Sequence, residues 1–287
     1  MDSKDWTILK ILYEEKNITR AAEKVYISQP ALTYRIKSIE QELGVKIMFR
    51  TKKGIKFTKE GEFLIQYANN MLYNFQKVKD HLLNMNDTDG GMIRIGVSRN
   101  FARYMLPDIL KDFLDENANV QFHVTTDLSQ SILKMLEKDT INLAIVRGDN
   151  YWKEGKILLK RESLCIISRE QINIEKLHEL PRINFKTEND LQQTIERWWQ
   201  QNYVKPCTVA MDIDNIETCI KMVTKGLGYA IVPSIGLTEY PELHKIVLTD
   251  EDEEVIVRDT WLLYRLEDLE YPMIKKFISF IKNKNYG

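Results

Sequence analysis

Cysteine is scarce in this 287-residue chain, and the three present, Cys165, Cys207 and Cys219, lie far apart. They fit no zinc-ligand spacing and suit a reducing compartment, so they read as structural thiols, a redox-sensing pair being the other reading. Histidine is nearly as rare. His81, His123, His178 and His244 are scattered, with no i, i+4 pair and no cysteine or carboxylate set at ligand spacing. There is no Gly-x-Ser-x-Gly turn and no Gly-Lys-Ser/Thr phosphate loop. Gly226-Leu227-Gly228 follows a helix and precedes a strand, the wrong order for a dinucleotide site, and reads as a helix C-cap. Asp212 and Asp214 lack any further metal partner. Neither an enzyme nor a metal or other cofactor is expected. No run of about 18 apolar residues could span a membrane. The polar start MDSKDWTILK has no signal-peptide core, so a cytoplasmic protein is expected. The few glycines and prolines, 12 and 7, beside abundant Lys, Ile and Asn, hint at an AT-rich genome.

What the chain does have is charge sorted by position. Residues 1–60 carry 13 Lys and Arg against 8 Asp and Glu, a balance of +5, whereas residues 61–287 carry 28 against 34, or −6. A near-neutral protein with its positive charge at one end can neutralise phosphates there. Within that end, Ala21 to Gly44 reads as two helices joined by a tight turn. Thr19 is available to cap the first, and Tyr26 and Ile27 break the pattern. Ser28 can cap the second, with Pro30 in its first turn, where a missing N–H costs nothing. On that helix Leu32, Ile36, Ile39 and Leu43 form an apolar stripe. Gln29, Thr33 and Lys37 fall on another face, with Tyr34 and Arg35 beside them. A helix that lies in a DNA major groove with its back buried needs both stripes. An ordinary amphipathic helix pair has the same periodicity, but a basic turn follows. Lys46–Arg50 and Lys56–Thr58 read as short strands around Gly54, with Arg50, Lys52, Lys53, Lys56 and Lys59 clustered there, the wing of a winged helix-turn-helix.

Residues 4–61 resemble the N-terminal domain of LysR-type transcriptional regulators. The resemblance is carried by Thr19, Ala21, Ala22, Ser28, Gln29, Pro30, Ile39, Glu40, Leu43 and Gly44, then by Ile47, Arg50, Phe57, Thr58 and Gly61. Met48 stands where the family usually has Phe, with Phe49 next to it, a change of packing. Tyr34 takes a position more often Arg or Gln, a change in the bases read, so no known operator is transferred. The resemblance and the polar stripe together place Ser28, Gln29 and Pro30 at the start of the recognition helix. Gln29, Thr33 and Tyr34 are expected toward base edges, and Lys37, Arg50, Lys52 and Lys53 on phosphates.

From Glu62 to Thr88 no Gly or Pro intervenes, and Leu64, Ala68, Met71, Phe75, Val78, Leu82 and Met85 alternate by four and three. That is a coiled-coil seam of about three and a half heptads, or else a long helix packed on its own domain. A dimerising linker suits a protein that reads a DNA dyad. The resemblance implies antiparallel pairing of this helix with its partner's, and tetramers. Asp87 to Gly91 reads as a hinge. Beyond it strands 92–98, 120–126 and 141–147 alternate with helices 101–117 and 129–138, a parallel arrangement. A second set comprises strands 163–168, 182–185, 207–213 and 229–233 with helices 190–202 and 216–225. A strand at 254–265 and a helix at 272–284 close the chain. The fold class is therefore α/β, resembling the two-lobed type 2 periplasmic-binding fold with which LysR-type regulators sense ligands. The expected division is 1–60 for DNA, 61–88 for dimerisation and 89–287 for the effector. Lobe I comprises 92–161 and 266–287, and lobe II 162–265.

Ligands of open α/β sheets lie beyond the carboxyl ends of the strands, facing helix N-termini. That rule selects Ser98, Arg99, Asn100, Phe101, Thr125, Thr126, Arg147, Asn184 and Asn215. Their hydroxyls, free amides and two arginines suit a small carboxylate or other anion. Ser98, Asn100 and Asn215 as plain helix caps, and Arg99 and Arg147 as surface arginines, are the alternatives. Trp198 and Trp199 read as one core and one interface residue. The whole reads as a regulator that binds double-stranded DNA at a dyad, as a homodimer or homotetramer, under a small-molecule effector. Effector control is expected to act through lobe closure and the DNA bend. A DNA-binding scaffold with an empty cleft is the rival reading.

Overall fold

Asp2 starts the first helix. Its carboxylate accepts the amides of Lys4 and Asp5, and the Asp5 carboxylate accepts the Asp2 amide, a reciprocal box that opens α1 (Ser3–Glu15). Asn17, not the expected Thr19, caps α2 (Ile18–Lys24), because its extended backbone lets its side-chain oxygen meet the Thr19 and Arg20 amides. Tyr26 turns the chain at φ +57°. Ser28 then caps α3 (Gln29–Leu43) through the Ala31 amide. β1 (Met48–Thr51) and β2 (Gly54–Phe57) pair antiparallel, and α4 (Lys59–Asn86) follows. The computed structural model describes residues 1–51, 54–86 and 90–284. Lys52, Lys53 and Asp87–Asp89 lie outside the described residues, as does the side chain of Met85. The chain divides into two compact units, Met1–Leu83 and Asn84–Gly287.

In the first unit Ile8, Leu12, Ile18, Ala21, Ala22, Leu32 and Ile36 form one buried cluster, and Leu9, Ile39, Ile47, Ile65 and Ala68 another. The apolar stripe of α3 thus faces inward as expected, except that Leu43 is exposed at the helix end. Phe75, Val78 and Leu82 of α4 are also exposed, so the C-terminal half of its apolar seam lacks cover within this unit.

The second unit opens with β3 (Gly90–Ser98). Gly90 and Gly91, expected in a hinge, instead pair with Asn119 and Val120. The helix expected over 101–117 is two, α5 (Arg99–Tyr104) and α6 (Leu106–Glu116). Pro107 has no N–H to bond back, so it fits only the first turn of a helix, and the chain breaks at Met105 and restarts as α6. Then come β4 (Asn119–Asp127), α7 (Ser129–Glu137), β5 (Leu143–Arg147), β6 (Gly155–Ser168), β7 (Pro181–Phe185), α8 (Asn189–Asn202) and β8 (Thr208–Ile213). They are followed by α9 (Ile216–Thr224), β9 (Ala230–Pro233), β10 (His244–Val247), β11 (Val257–Tyr264) and α10 (Pro272–Asn283).

The main sheet runs β10-β6-β11-β5-β3-β4, with β9 also on β6. β6 pairs with β11 along Gly155–Ser163 and with β9 and β10 along Leu164–Ser168, so one long strand carries the chain from lobe to lobe. β11 pairs with β5 and the first part of β6, which places the return crossing before Val257 rather than at the expected 265. β7 and β8 form a separate parallel pair. Gly226, just past α9 at φ +76°, ends that helix as expected. Trp198 and Trp199 are both buried, correcting the split assignment. Their indole N–H groups donate to the Thr249 and Lys205 carbonyls, each at 3.0 Å, which makes full burial affordable.

Candidate functional sites

The outer face of α3 holds a small hydrogen-bonded group. Gln29 Nε2 donates to Thr33 Oγ1 at 2.9 Å, and Arg50 of β1 donates to the same oxygen at 2.8 Å. The wing residue expected on a phosphate is thereby drawn to the helix face. Tyr34 is 77% exposed beside them, and Pro30 and Lys37 are exposed too. Arg35 departs from the polar stripe. It forms a two-pronged ion pair with Asp5, both bonds 2.6 Å, and so ties α3 to α1. Asp5 is 1% exposed and was not singled out in the sequence. Glu40 accepts the Ile47 amide at 3.0 Å and Lys46 Nζ at 2.7 Å, fixing the end of α3 to the start of the wing.

The second site is a cavity of about 140 Å³ between the lobes of the C-terminal unit, lined by Ser98, Arg99, Asn100, Arg147, Glu188, Asn215 and Arg258, among others. Five of the expected residues meet there: Ser98, Arg99, Asn100, Arg147 and Asn215. Ser98 Oγ is buried and has no hydrogen-bond partner among the described residues. Arg99 pairs with Asp127 at 2.8 Å, and Asn215 caps α9 through the Thr218 amide. Arg147 is no surface arginine: it is buried and ion-paired with Glu162. Burial and the nearby Arg258 push its guanidinium below the usual range.

The other expected residues fall elsewhere. Phe101 is fully buried in the lobe I core, because the first turn of α5 points it under the sheet. Thr125 and Thr126 stop short of the cavity. β4 runs to Asp127, opposite Ser98, so Asp127 is the residue at the strand mouth. Asn184 lines a neighbouring cavity of about 550 Å³ with Arg182, Cys207 and Asp212. Cys165 and Cys219 are buried, and burial pushes both thiols up, Cys219 to about 12, which suits structural thiols. Among the described residues no cluster could hold a metal ion, and no helix is long and apolar enough to cross a membrane.

Residues 3–62 match the family described as bacterial regulatory helix-turn-helix protein, lysR family, and residues 86–285 match the LysR substrate binding domain. The chain belongs to the LysR family. It is a DNA-binding transcriptional regulator, not an enzyme. The "Uncharacterized HTH-type transcriptional regulator YraN" of Bacillus subtilis is 42% identical over 284 residues, covering 99% of this chain and 98% of that protein. The transcriptional activator IlvY of Haemophilus influenzae is 25% identical over 98% of this chain and 100% of that one. The crystal structure of CbnR, a LysR family regulator, superposes with a TM-score of 0.74 at 15% identity, covering 99% of each chain.

In this LysR-type regulator the sequence missed Asp127, Glu188 and Arg258 in the cleft, and Asp5 and Glu40 in the DNA-binding unit. The last two had a signal: an acidic residue in the capping box, and a glutamate in the family pattern. Burial pushes both carboxyls up, yet both end below their ordinary values of 3.8 and 4.5. Arg35 and the Asp2 amide outweigh burial for Asp5, and Lys46 and the Ile47 amide for Glu40. A lowered folded value gives stability that is present above the ordinary value and lost as pH falls through the folded one. The N-terminal unit is therefore expected to melt earlier once the pH drops below about 4. Asp5→Asn should flatten that fall, and a melting profile parallel to the wild type would contradict it.

Proposed function

We propose that α3 reads a short dyad-symmetric DNA site, with Gln29, Thr33 and Tyr34 toward base edges and Ser28 and Pro30 setting the helix start. Lys37 and the wing residues Lys52 and Lys53 meet phosphates, while Arg50 turns to the helix face beside Thr33. The observation that carries this is the Gln29–Thr33–Arg50 group, half-buried at Gln29 and Thr33 and exposed at Arg50, which holds a glutamine amide in one orientation on the outer helix face. The exposed Phe75, Val78 and Leu82 of α4 support a homodimer through that helix, and two dimers would make a tetramer. The interlobe cavity would take a small carboxylate or other anion as effector, bound by residues around Ser98, Arg99 and Asn100. Such a protein works in the cytoplasm, with the DNA.

Selection of genomic fragments by the purified chain, with and without small organic acids, tests the reading. Enrichment of a dyad is expected, and weak, unselective, salt-sensitive binding would contradict it. Gln29→Ala should relax base preference at one position of each half-site, at a cost of about 1–3 kcal/mol there. Lys37→Ala should weaken all sites alike and reduce the salt slope by about one. A uniform loss of affinity in the Gln29 variant, with preference intact, would reverse these roles.

A further inference from the structure

Glu188 immediately precedes α8, yet its carboxylate makes no capping bond to its own helix. It reaches across to lobe I instead. Oε1 accepts the amide of Ser129, the first residue of α7, at 2.6 Å, and Oε2 accepts Arg258 Nη2 at 2.6 Å. Asp190 adds a second carboxylate to the same nitrogen at 3.1 Å. Gly148 leaves room for this approach: a Cβ at its position would stand 2.0 Å from Asp190 Oδ2. Arg258 is 6% exposed, and its Nε and Nη1 have no hydrogen-bond partner among the described residues. A first-turn amide and a buried guanidinium are what an incoming carboxylate seeks. In this cleft the protein's own carboxylate already holds both.

We infer that Glu188 is a tethered occupant of the cleft's anion seat, a latch that holds the lobes together without effector, and that an effector carboxylate enters by displacing it. Only the second half of this inference rests on the effector reading; the latch is a property of the chain alone. The other cleft arginines are neutralised in the same way, Arg99 by Asp127 and Arg147 by Glu162, so an added anion would exchange for a carboxylate rather than fill a bare positive site. A tethered group competes at an effective concentration of about millimolar or more. A ligand that offers one carboxylate and nothing else should therefore fail against the wild-type protein. Lys186 and Asp214 also line the cavity and supply the further contacts that a competing effector needs.

The test is chemical rescue of the full chain by acetate, with chloride at equal ionic strength as control. Glu188→Ala should melt below the wild type in chloride and show a larger radius of gyration by solution scattering. Acetate should restore half or more of the lost melting temperature while leaving the wild type unmoved. Glu188→Gln, which keeps an acceptor for the Ser129 amide, should show a smaller loss and a smaller rescue, and it serves if the alanine variant folds poorly. Acetate that shifts neither variant, or shifts wild type and variants equally, overturns the latch. So does an unchanged radius, even if organic acids bind the wild-type cleft. Expansion and rescue without any organic acid binding the wild type would support the latch and count against the effector reading alone.

Discussion

Replacing Arg147 by Leu is expected to cost about 3–5 kcal/mol of stability at neutral pH, because it strands a buried carboxylate. Glu162 is 3% exposed, and its ion pair with Arg147 is the contact that balances its charge in the core. With the arginine gone, the buried carboxyl has its pKa raised by desolvation and takes up a proton. The sign of the pH dependence follows. A carboxyl whose folded value lies above its unfolded value binds more protons when folded, so Arg147→Leu should regain stability as the pH falls toward about 5. The double variant Arg147→Leu/Glu162→Leu removes both charges and should recover most of the loss, with no such pH dependence. Urea unfolding of the three proteins at two pH values checks this. A single variant whose loss is the same at both values would show that Glu162 finds another partner.

Gly61→Ala is expected to unfold the DNA-binding unit in preference to the C-terminal one. By helix propensity alone the change should help by about 1 kcal/mol, since Gly61 lies in the first turn of α4. Packing reverses the sign. A Cβ there would stand 2.0 Å from the Ile47 carbonyl oxygen and 2.9 Å from its carbon. That carbonyl cannot retreat freely. It accepts the Thr58 amide at 3.0 Å, and the Ile47 amide is itself bonded to Glu40 at 3.0 Å. Relief requires moving the entry to the wing away from α4, at a cost of about 3 kcal/mol or more. Calorimetry of the full chain should show the transition of the N-terminal unit lowered and that of the C-terminal unit unmoved, together with loss of DNA binding. A variant at least as stable as wild type would mean that the α4 entry shifts easily.

The charge balance, the Ser28 cap, the apolar stripe of Leu32, Ile36 and Ile39 and the basic turn around Gly54 are all local patterns, and they suffice to read a winged helix-turn-helix from the chain. Gly61 belongs to the same pattern, yet its reason is not local: Ile47 comes against it only when it packs on α4 beside Ile65 and Ala68. Much of the strand and helix order of the C-terminal unit was legible from its alternation, but the first half of β6 (Gly155–Ser168), rich in charge, and the short edge strand β10 (His244–Val247) carry no apolar run to mark them and were not. The break at Met105 was signalled by Pro107 and overlooked in a run of helix-forming residues.

By itself the sequence determined most of the elements, the winged helix-turn-helix and the family, because period, caps and charge act over a few residues. It also determined the strand mouths at Ser98 and Arg147, since those follow from where an apolar run ends. Only the tertiary structure decided which charges are free. It placed Arg35 on Asp5, Arg147 on Glu162, and Glu188 on Ser129 and Arg258, partners 30, 15, 59 and 70 positions apart. Contacts over such distances depend on how strands cross between lobes and helices stack. No periodicity records that, so a residue type at a strand end indicates a site but not whether the chain has already filled it.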